Sequence, residues 1–230
     1  MPTVSVIIPT MNEASVIARC IESARDADEI ILADGGSEDE TLSIAEKYVV
    51  TSVSTDIGRG IQQNAGAATA SSDVLLFLHA DNWLSTNCIA QIREAADASH
   101  MIVGAFNQHI DARGIKYRLL EWGNRYRARR RRLPFGDQGI FISRVLFEQI
   151  GGFADVPFLE DVMLMQSIPR SQDVTVLPGP LRVDARRWKR NGVIRQTLKN
   201  RSILRRFNNG LSPEELLAEY RRDDQQRRGN

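Results

Sequence analysis

Short apolar runs alternate with stretches of helical periodicity along the first hundred residues. Residues 4–8, 29–33, 49–53 and 74–78 are each five positions long and β-rich, the signature of strands buried on both faces of a parallel sheet. Between them, residues 14–24, 41–48 and 60–70 carry apolar or small side chains at helical spacing. Ser37 followed by Glu40 has the spacing of a capping box opening the second of these helices. Four alternations of strand and helix predict right-handed βαβ units and a mostly parallel α/β sheet. The second half is less regular: helix 85–98, strand 101–109, basic helix 116–132 and strand 139–143 come first. A Gly151-Gly152-Phe153 turn, helix 162–168 and strand 174–177 follow, the last stopped by Pro178-Gly179-Pro180. Helices over 192–207 and 213–222 complete the pattern, and the polar tail 223–230 is expected to be disordered.

What the strands run into is more informative than the strands themselves. Residues 74–78 lead directly into His79-Ala80-Asp81-Asn82, residues 29–33 into Asp34-Gly35-Gly36, and residues 4–8 into Pro9-Thr10-Met11-Asn12-Glu13. Parallel strands end on one edge of their sheet, where open α/β folds bind ligands. Glu13, Asp34 and Asp81 are therefore expected to converge, with a cation or donors relieving their repulsion. Taken singly, each reads equally well as a turn or cap residue. Glu160-Asp161 stands at the start of a helix, where an acid is either a dipole partner or a general base.

Composition narrows the class. With 230 residues, 42% hydrophobic, the chain suits one sizeable α/β domain over 1–185 with a basic helical extension over 186–222. Its apolar runs of about five fall far short of the roughly 20 residues that cross a bilayer, and the first strand leaves no room for a leader, so a cytoplasmic protein is expected. Cys20 and Cys88 are expected as buried thiols. The net charge of +1 conceals 5 basic and 15 acidic residues in positions 1–110 against 25 basic and 14 acidic in 111–230. An acidic half opposed to a basic half suits a site holding a metal on one side and phosphates on the other.

Six arginines lie within 125–132, and nine basic residues between Arg186 and Arg206 with no acid among them. No nucleic-acid signature accompanies them, and nucleic acid is not an expected partner. The second run has apolar residues at near-helical spacing, which suits either a helix packed on the domain or one resting peripherally on anionic lipid at the inner face of a membrane. Neither a Walker A sequence nor GxGxxG occurs, so any phosphates must be held by a metal and basic side chains.

Assembled, these segments resemble the family 2 glycosyltransferases, nucleotide-sugar enzymes of the GT-A fold, over roughly residues 3–190. The matching stretches are VSVIIPTMNE, ILADGGSEDET, GRGIQQNAGAATASSDVLLFLHADN, GDQGIFISRVLFEQIGGF and FLEDVML, in that order. The resemblance implies a nucleotide-binding half over about 1–110 and an acceptor half over 111–185. It implies that Pro9, Thr10 and Glu13 line the donor nucleotide, that Asp34 bonds its base, and that Arg59 lies near it. Asp81 corresponds to the last acid of the DxD motif, which holds Mg²⁺ or Mn²⁺ on the donor diphosphate, with His79 in place of the first acid. Asp161 corresponds to the catalytic base, and Glu160, Asp137, Gln138, Arg187 and Trp188 to acceptor or phosphate contacts.

The activity so implied is inverting, metal-dependent transfer of one sugar from a nucleoside-diphosphate sugar, UDP-sugars favoured, to a hydroxyl or carboxyl acceptor, lipid-like in one version. Two departures bear on it. An imidazole at position 79 makes a softer site with one fewer negative charge. Asp184-Ala185-Arg186-Arg187-Trp188 stands where processive members carry QxxRW, so single-sugar transfer is expected. The rival readings are a nucleotidyltransferase on a similar fold and a non-catalytic module binding membrane or nucleic acid.

Overall fold

Eight strands form one sheet in the computed structural model, which describes residues 1–218 apart from the side chain of Arg187. They are β1 (Val4–Thr10), β2 (Glu29–Asp34), β3 (Thr51–Ser54), β4 (Val74–Phe77), β5 (Asn82–Leu84), β6 (Val103–Ile110), β7 (Ile140–Ser143) and β8 (Val174–Val183). Across the sheet the order is β3-β2-β1-β4-β7-β6-β8-β5. The first four strands are mutually parallel, β7 runs against both β4 and β6, β8 is parallel to β6, and β5 closes the edge against β8. The helices are α1 (Ile17–Ser23), α2 (Thr41–Ala45), α3 (Arg59–Thr69), α4 (Cys88–Ala98), α5 (Ile115–Arg131), α6 (Arg144–Gln149), α7 (Glu160–Ser167), α8 (Arg186–Asn191) and α9 (Val193–Asn208).

Both faces of the central strands are buried, which explains their unbroken apolar character. Val4, Val6 and Ile8 point into one cluster with residues of α1 and α4, whereas Ile7 points into another with Ala67 of α3, Leu164 and Met165 of α7 and the rings of Phe77, Phe147 and Phe153. Phe153 meets Phe77 edge-on at 4.7 Å. Cys20 and Cys88 are buried free thiols. Gly66 lets α3 lie directly on β1, because a Cβ there would sit 2.4 Å from Ile7 Cγ2. Ile7 is fully buried and β-branched and cannot turn aside. Gly66→Ala is therefore expected to cost about 1–3 kcal/mol, read as a lower denaturant midpoint at unchanged slope.

Several sequence expectations require correction. β8 does not stop before Pro178-Gly179-Pro180 but continues to Val183, because the register slips between Phe106 and Gln108 of β6 and the irregularity absorbs prolines that cannot donate to the ladder. The Gly179 N–H is satisfied instead by Gln91 Oε1 at 2.9 Å. No capping box opens α2: the Ser37 hydroxyl donates to Asp34 Oδ1 at 2.5 Å, and Glu40 is the residue before the helix. α7 starts at Glu160 rather than 162, so both acids lie in its first turn. α8 stands apart from α9, separated by Gly192. Residues 213–218 are helical; the rest of the helix expected to 222, and the tail 223–230, lie outside the described residues. Among the described residues no helix is long and apolar enough to cross a membrane.

Candidate active site

The loops leaving β1, β2 and β4 lie along one sheet edge, and the first two are laced together. Asn12 N–H donates to Ser37 Oγ at 2.9 Å, Asn12 Oδ1 accepts from Glu38 N–H at 2.8 Å, and Glu13 N–H donates to Thr41 Oγ1 at 2.8 Å. Beneath them the buried Gln62 amide of α3 donates to the carbonyls of both Thr10 (2.7 Å) and Ala33 (2.9 Å). This fixes the relative height of the two strand ends. Above that floor is a cleft of about 300 Å³ lined by Pro9, Glu13, Arg59, His79, Ala80, Asp81, Arg186 and Arg190.

The expected convergence of carboxylates holds for Glu13 and Asp81, and the relieving cation is a guanidinium. Arg186 Nη2 lies 3.2 Å from Glu13 Oε2 and 3.8 Å from Asp81 Oδ2, with Asp184 Oδ2 4.0 Å from its Nε. Burial pushes the Glu13 carboxyl up from the usual range; the hydrogen bond from Arg186 opposes that shift and the Asp81 charge adds to it. For Arg186 burial acts downward, but Glu13, Asp81 and Asp184 outweigh it and the guanidinium is held more firmly charged than usual. The chain after β8 is tied down here too, Asp184 N–H donating to the Asp81 carbonyl at 3.3 Å.

Glu160 and Asp161 stand at the margin of the same cleft. Glu160 is buried, and its Oε1 lies 3.7 Å from Arg59 Nη1. Asp161 Oδ2 accepts from Gly136 N–H at 2.6 Å and Oδ1 from its neighbour Val162 N–H at 2.7 Å. Burial first, and then the Glu160 charge, push the Asp161 carboxyl up to about 6, against the downward pull of those two donors. Gly136 is wedged between His79 and Asp161: a Cβ there would fall 2.8 Å from His79 Nε2 and 3.5 Å from Asp161 Oδ2. The end of β4 and the start of α7 therefore meet across a residue with no room for a side chain.

The sequence model for Glycosyl transferase family 2 matches residues 5–148. The chain belongs to that family. A relative from Mycobacterium bovis (strain BCG / Pasteur 1173P2), a PGL/p-HBAD biosynthesis glycosyltransferase, is 40% identical over 94 residues, which cover 36% of this chain and 37% of that protein. Among solved structures, S. aureus TarS 1-349 in complex with UDP-GlcNAc superposes with a TM-score of 0.62 at 18% identity, over 79% of this chain and 58% of that one. The mannosyltransferase PcManGT from Pyrobaculum calidifontis, in complex with GDP-Man and Mn²⁺, gives 0.59 at 20% identity, over 80% and 56%. These two share the GT-A fold with this chain, and all three are matched over well under two thirds of their length.

On this family 2 scaffold the remaining expected residues separate. Pro9 lines the cleft, while Thr10 is buried in the sheet beneath it, its hydroxyl 3.3 Å from Asp34 Oδ1. Asp34, 3% exposed, spends both oxygens on its own loop, accepting from Gly36 N–H, Ser37 N–H and the Ser37 hydroxyl, and is not among the residues lining the cleft. Gln138 is fully buried and faces inward, accepting from Arg127 Nη2 at 2.8 Å and donating to the Phe106 carbonyl at 3.4 Å; it braces the loop that carries Gly136. Asp137 and Trp188 line a second cavity, between α5 and α9. Arg187 lies in α8, its side chain outside the described residues.

Three participants escaped the sequence reading. Arg186 and Arg190 sit one turn apart in a run of nine bases, and nothing local distinguishes the two that face the cleft. Gln62 lies within a Gly/Ala-rich helix, where a polar residue at a position otherwise facing the sheet was the available signal.

Proposed function

We propose that this chain transfers a single sugar from a nucleoside-diphosphate sugar to a hydroxyl or carboxyl acceptor, with inversion at the anomeric carbon and Asp161 as the general base. UDP-sugars are the favoured donors. What carries the reading is the pairing, within one cleft margin, of a carboxylate pushed up to about 6 with a pocket of mixed carboxylate and guanidinium groups. A base near that value is ionised at neutral pH yet basic enough to take a proton from an attacking hydroxyl. Family membership favours this reading over the nucleotidyltransferase and binding-module alternatives.

In the proposed reaction the acceptor oxygen attacks the anomeric carbon as the bond from that carbon to the diphosphate oxygen breaks. The acceptor proton passes to Asp161, and the nucleoside diphosphate leaves with the bonding electron pair. Gly136 N–H holds one Asp161 oxygen, leaving lone pairs for the incoming proton. Arg59, Arg186 and Arg190 bring guanidinium groups to the wall where negative charge accumulates on the leaving group.

Asp81 and His79 would hold Mg²⁺ or Mn²⁺. Among the described residues no three His, Cys, Asp or Glu side chains are grouped to bind a metal by themselves. The donor set nevertheless fits an ion that takes one carboxylate from the protein and completes its shell with substrate phosphate oxygens, as Mg²⁺ commonly does. Such an ion, when bound, supplies Lewis-acid stabilisation of the diphosphate. The test is thermal protection by UDP and by GDP, with and without Mn²⁺, followed by a hydrolysis screen over nucleotide sugars. Protection by a nucleoside diphosphate that deepens with Mn²⁺ is expected; no protection by any nucleotide would sink the donor assignment.

A further inference from the structure

A groove of about 940 Å³ lies between α5 and α9, distinct from the donor cleft. Positions 115, 119, 122 and 126 of α5 fall on one helical face. That face is apolar and left to solvent: Ile115, Leu119, Trp122 and Tyr126 are 51–78% exposed. On the opposite wall Ile194 and Leu198, one turn apart, are 76% and 60% exposed. Five of the twelve large hydrophobic side chains exposed in the described residues, all of these but Ile115, thus line one groove, whereas exposed hydrophobics scattered singly need no explanation. Trp122 and Tyr126 stack at 5.9 Å, giving the wall a flat aromatic panel.

The groove is basic as well as apolar. Lys116, Arg127, Arg131, Arg201 and Arg205 line it, against the single acid Asp137. It also runs up to the catalytic loop. Phe135 and Asp137 belong to its lining, and the residue between them is Gly136, whose N–H holds Asp161. Arg127 stacks over the Phe135 ring at 3.4 Å and donates to Gln138 Oε1, so the floor of the groove and the loop holding Asp161 are one braced unit.

We propose that this groove is the acceptor site and takes an amphiphile, with an apolar chain or ring system against α5 and α9, an anionic group on the arginines of its rim, and the reactive oxygen directed at Asp161. The last element rests on the transferase reading; amphiphile binding does not. Other occupants fit less well. A second copy of the chain would set one basic rim against another. Residues 219–230 carry Tyr220 as their single apolar side chain and would leave the walls wet. A flat bilayer surface would reach the exposed rims but not Phe135 and Trp188, which line the groove from within.

The test uses the full chain and monomeric probes. Trp122 and Trp188 both line the groove, so intrinsic fluorescence reports its filling. Dodecyl phosphate, titrated below its micelle concentration, is expected to bind saturably and shift the emission to the blue, whereas inorganic phosphate does not. Leu198→Asp and Leu119→Asp, both at exposed positions where folding is indifferent, are expected to weaken that binding at least tenfold while leaving thermal protection by UDP unchanged. Absence of saturable binding, or equal affinity in both variants, overturns the proposal. So does binding confined to anionic phosphatidylglycerol vesicles, which would mark a membrane-docking face. A sedimenting dimer that Leu198→Asp dissociates overturns it in favour of self-association. If dodecyl phosphate binds while no nucleotide protects the fold, the groove stands and the transferase reading falls; the reverse pattern removes only the groove.

Discussion

Asp161→Asn is expected to lower sugar transfer by roughly 10²–10⁴-fold, the range a positioned general base contributes, while the affinity for UDP stays within about twofold of wild type on the same reasoning. The amide keeps the shape of the carboxyl and can still accept from Gly136 N–H, but it cannot take the acceptor's proton. Wild-type turnover should fall as the pH drops through about 6, where Asp161 protonates, and the residual activity of the variant should lack that limb. Stability separates loss of chemistry from loss of fold. Because burial and Glu160 raise this carboxyl above its unfolded value, its contribution to stability is present at low pH and is lost as the pH rises through about 6. Asn carries no charge to desolvate but loses the acceptor facing Val162 N–H, so the variant should be close to wild type in stability at pH 8. Retained turnover would remove Asp161 from the reaction, and a collapsed melting temperature would make it structural.

Arg186→Glu should weaken UDP binding by about 100-fold, or about 2.7 kcal/mol. Arg186 now lies among Glu13, Asp81 and Asp184; reversal would add a fourth carboxylate to the cleft proposed to take the donor diphosphate. Arg186→Lys should recover part of the loss, since an ammonium restores the charge but not the planar fork that spans two acids. Stability in the absence of ligand should fall by no more than about 1 kcal/mol, because the side chain is about half exposed and charge pairs at the surface, attractive or repulsive, are screened. Calorimetric titration with UDP, read beside the melting temperature, separates these effects. Unchanged affinity in the glutamate variant would reduce Arg186 to a surface tie.

The parts of the fold legible in advance were those where burial leaves a mark on every residue. β1, β2 and β4 are enclosed on both faces, so their apolar runs could be read directly, as could the carboxylates that end them. β5 is three residues long and carries no periodicity. Pro178-Gly179-Pro180 looks like a strand terminator, and only the slipped register of β6 shows how β8 survives it. The direction a side chain takes at a strand end was equally hidden. Asp34 and Asp81 occupy equivalent places in the pattern, yet Gly36 and Ser37 draw one back into its own loop while the other faces the cleft. Arg186 could not be singled out, because what selects it from its basic neighbours is the position of β8, which brings it to Glu13 across a sequence separation of 173 residues.

The continuation of β8 through its prolines also makes the cleft a property of the whole chain rather than of its first half. The cleft draws on Pro9 at one end of the chain and Arg190 near the other. During synthesis the parallel strands β1 to β4 can assemble early, but the wall bearing Arg186 and Arg190 arrives only after β8 has paired with β6 and handed the chain across to Asp81. Glu13 and Asp81 have their guanidinium only with that wall in place, so the long-range pairing of β8 with β6 is part of what completes the cleft.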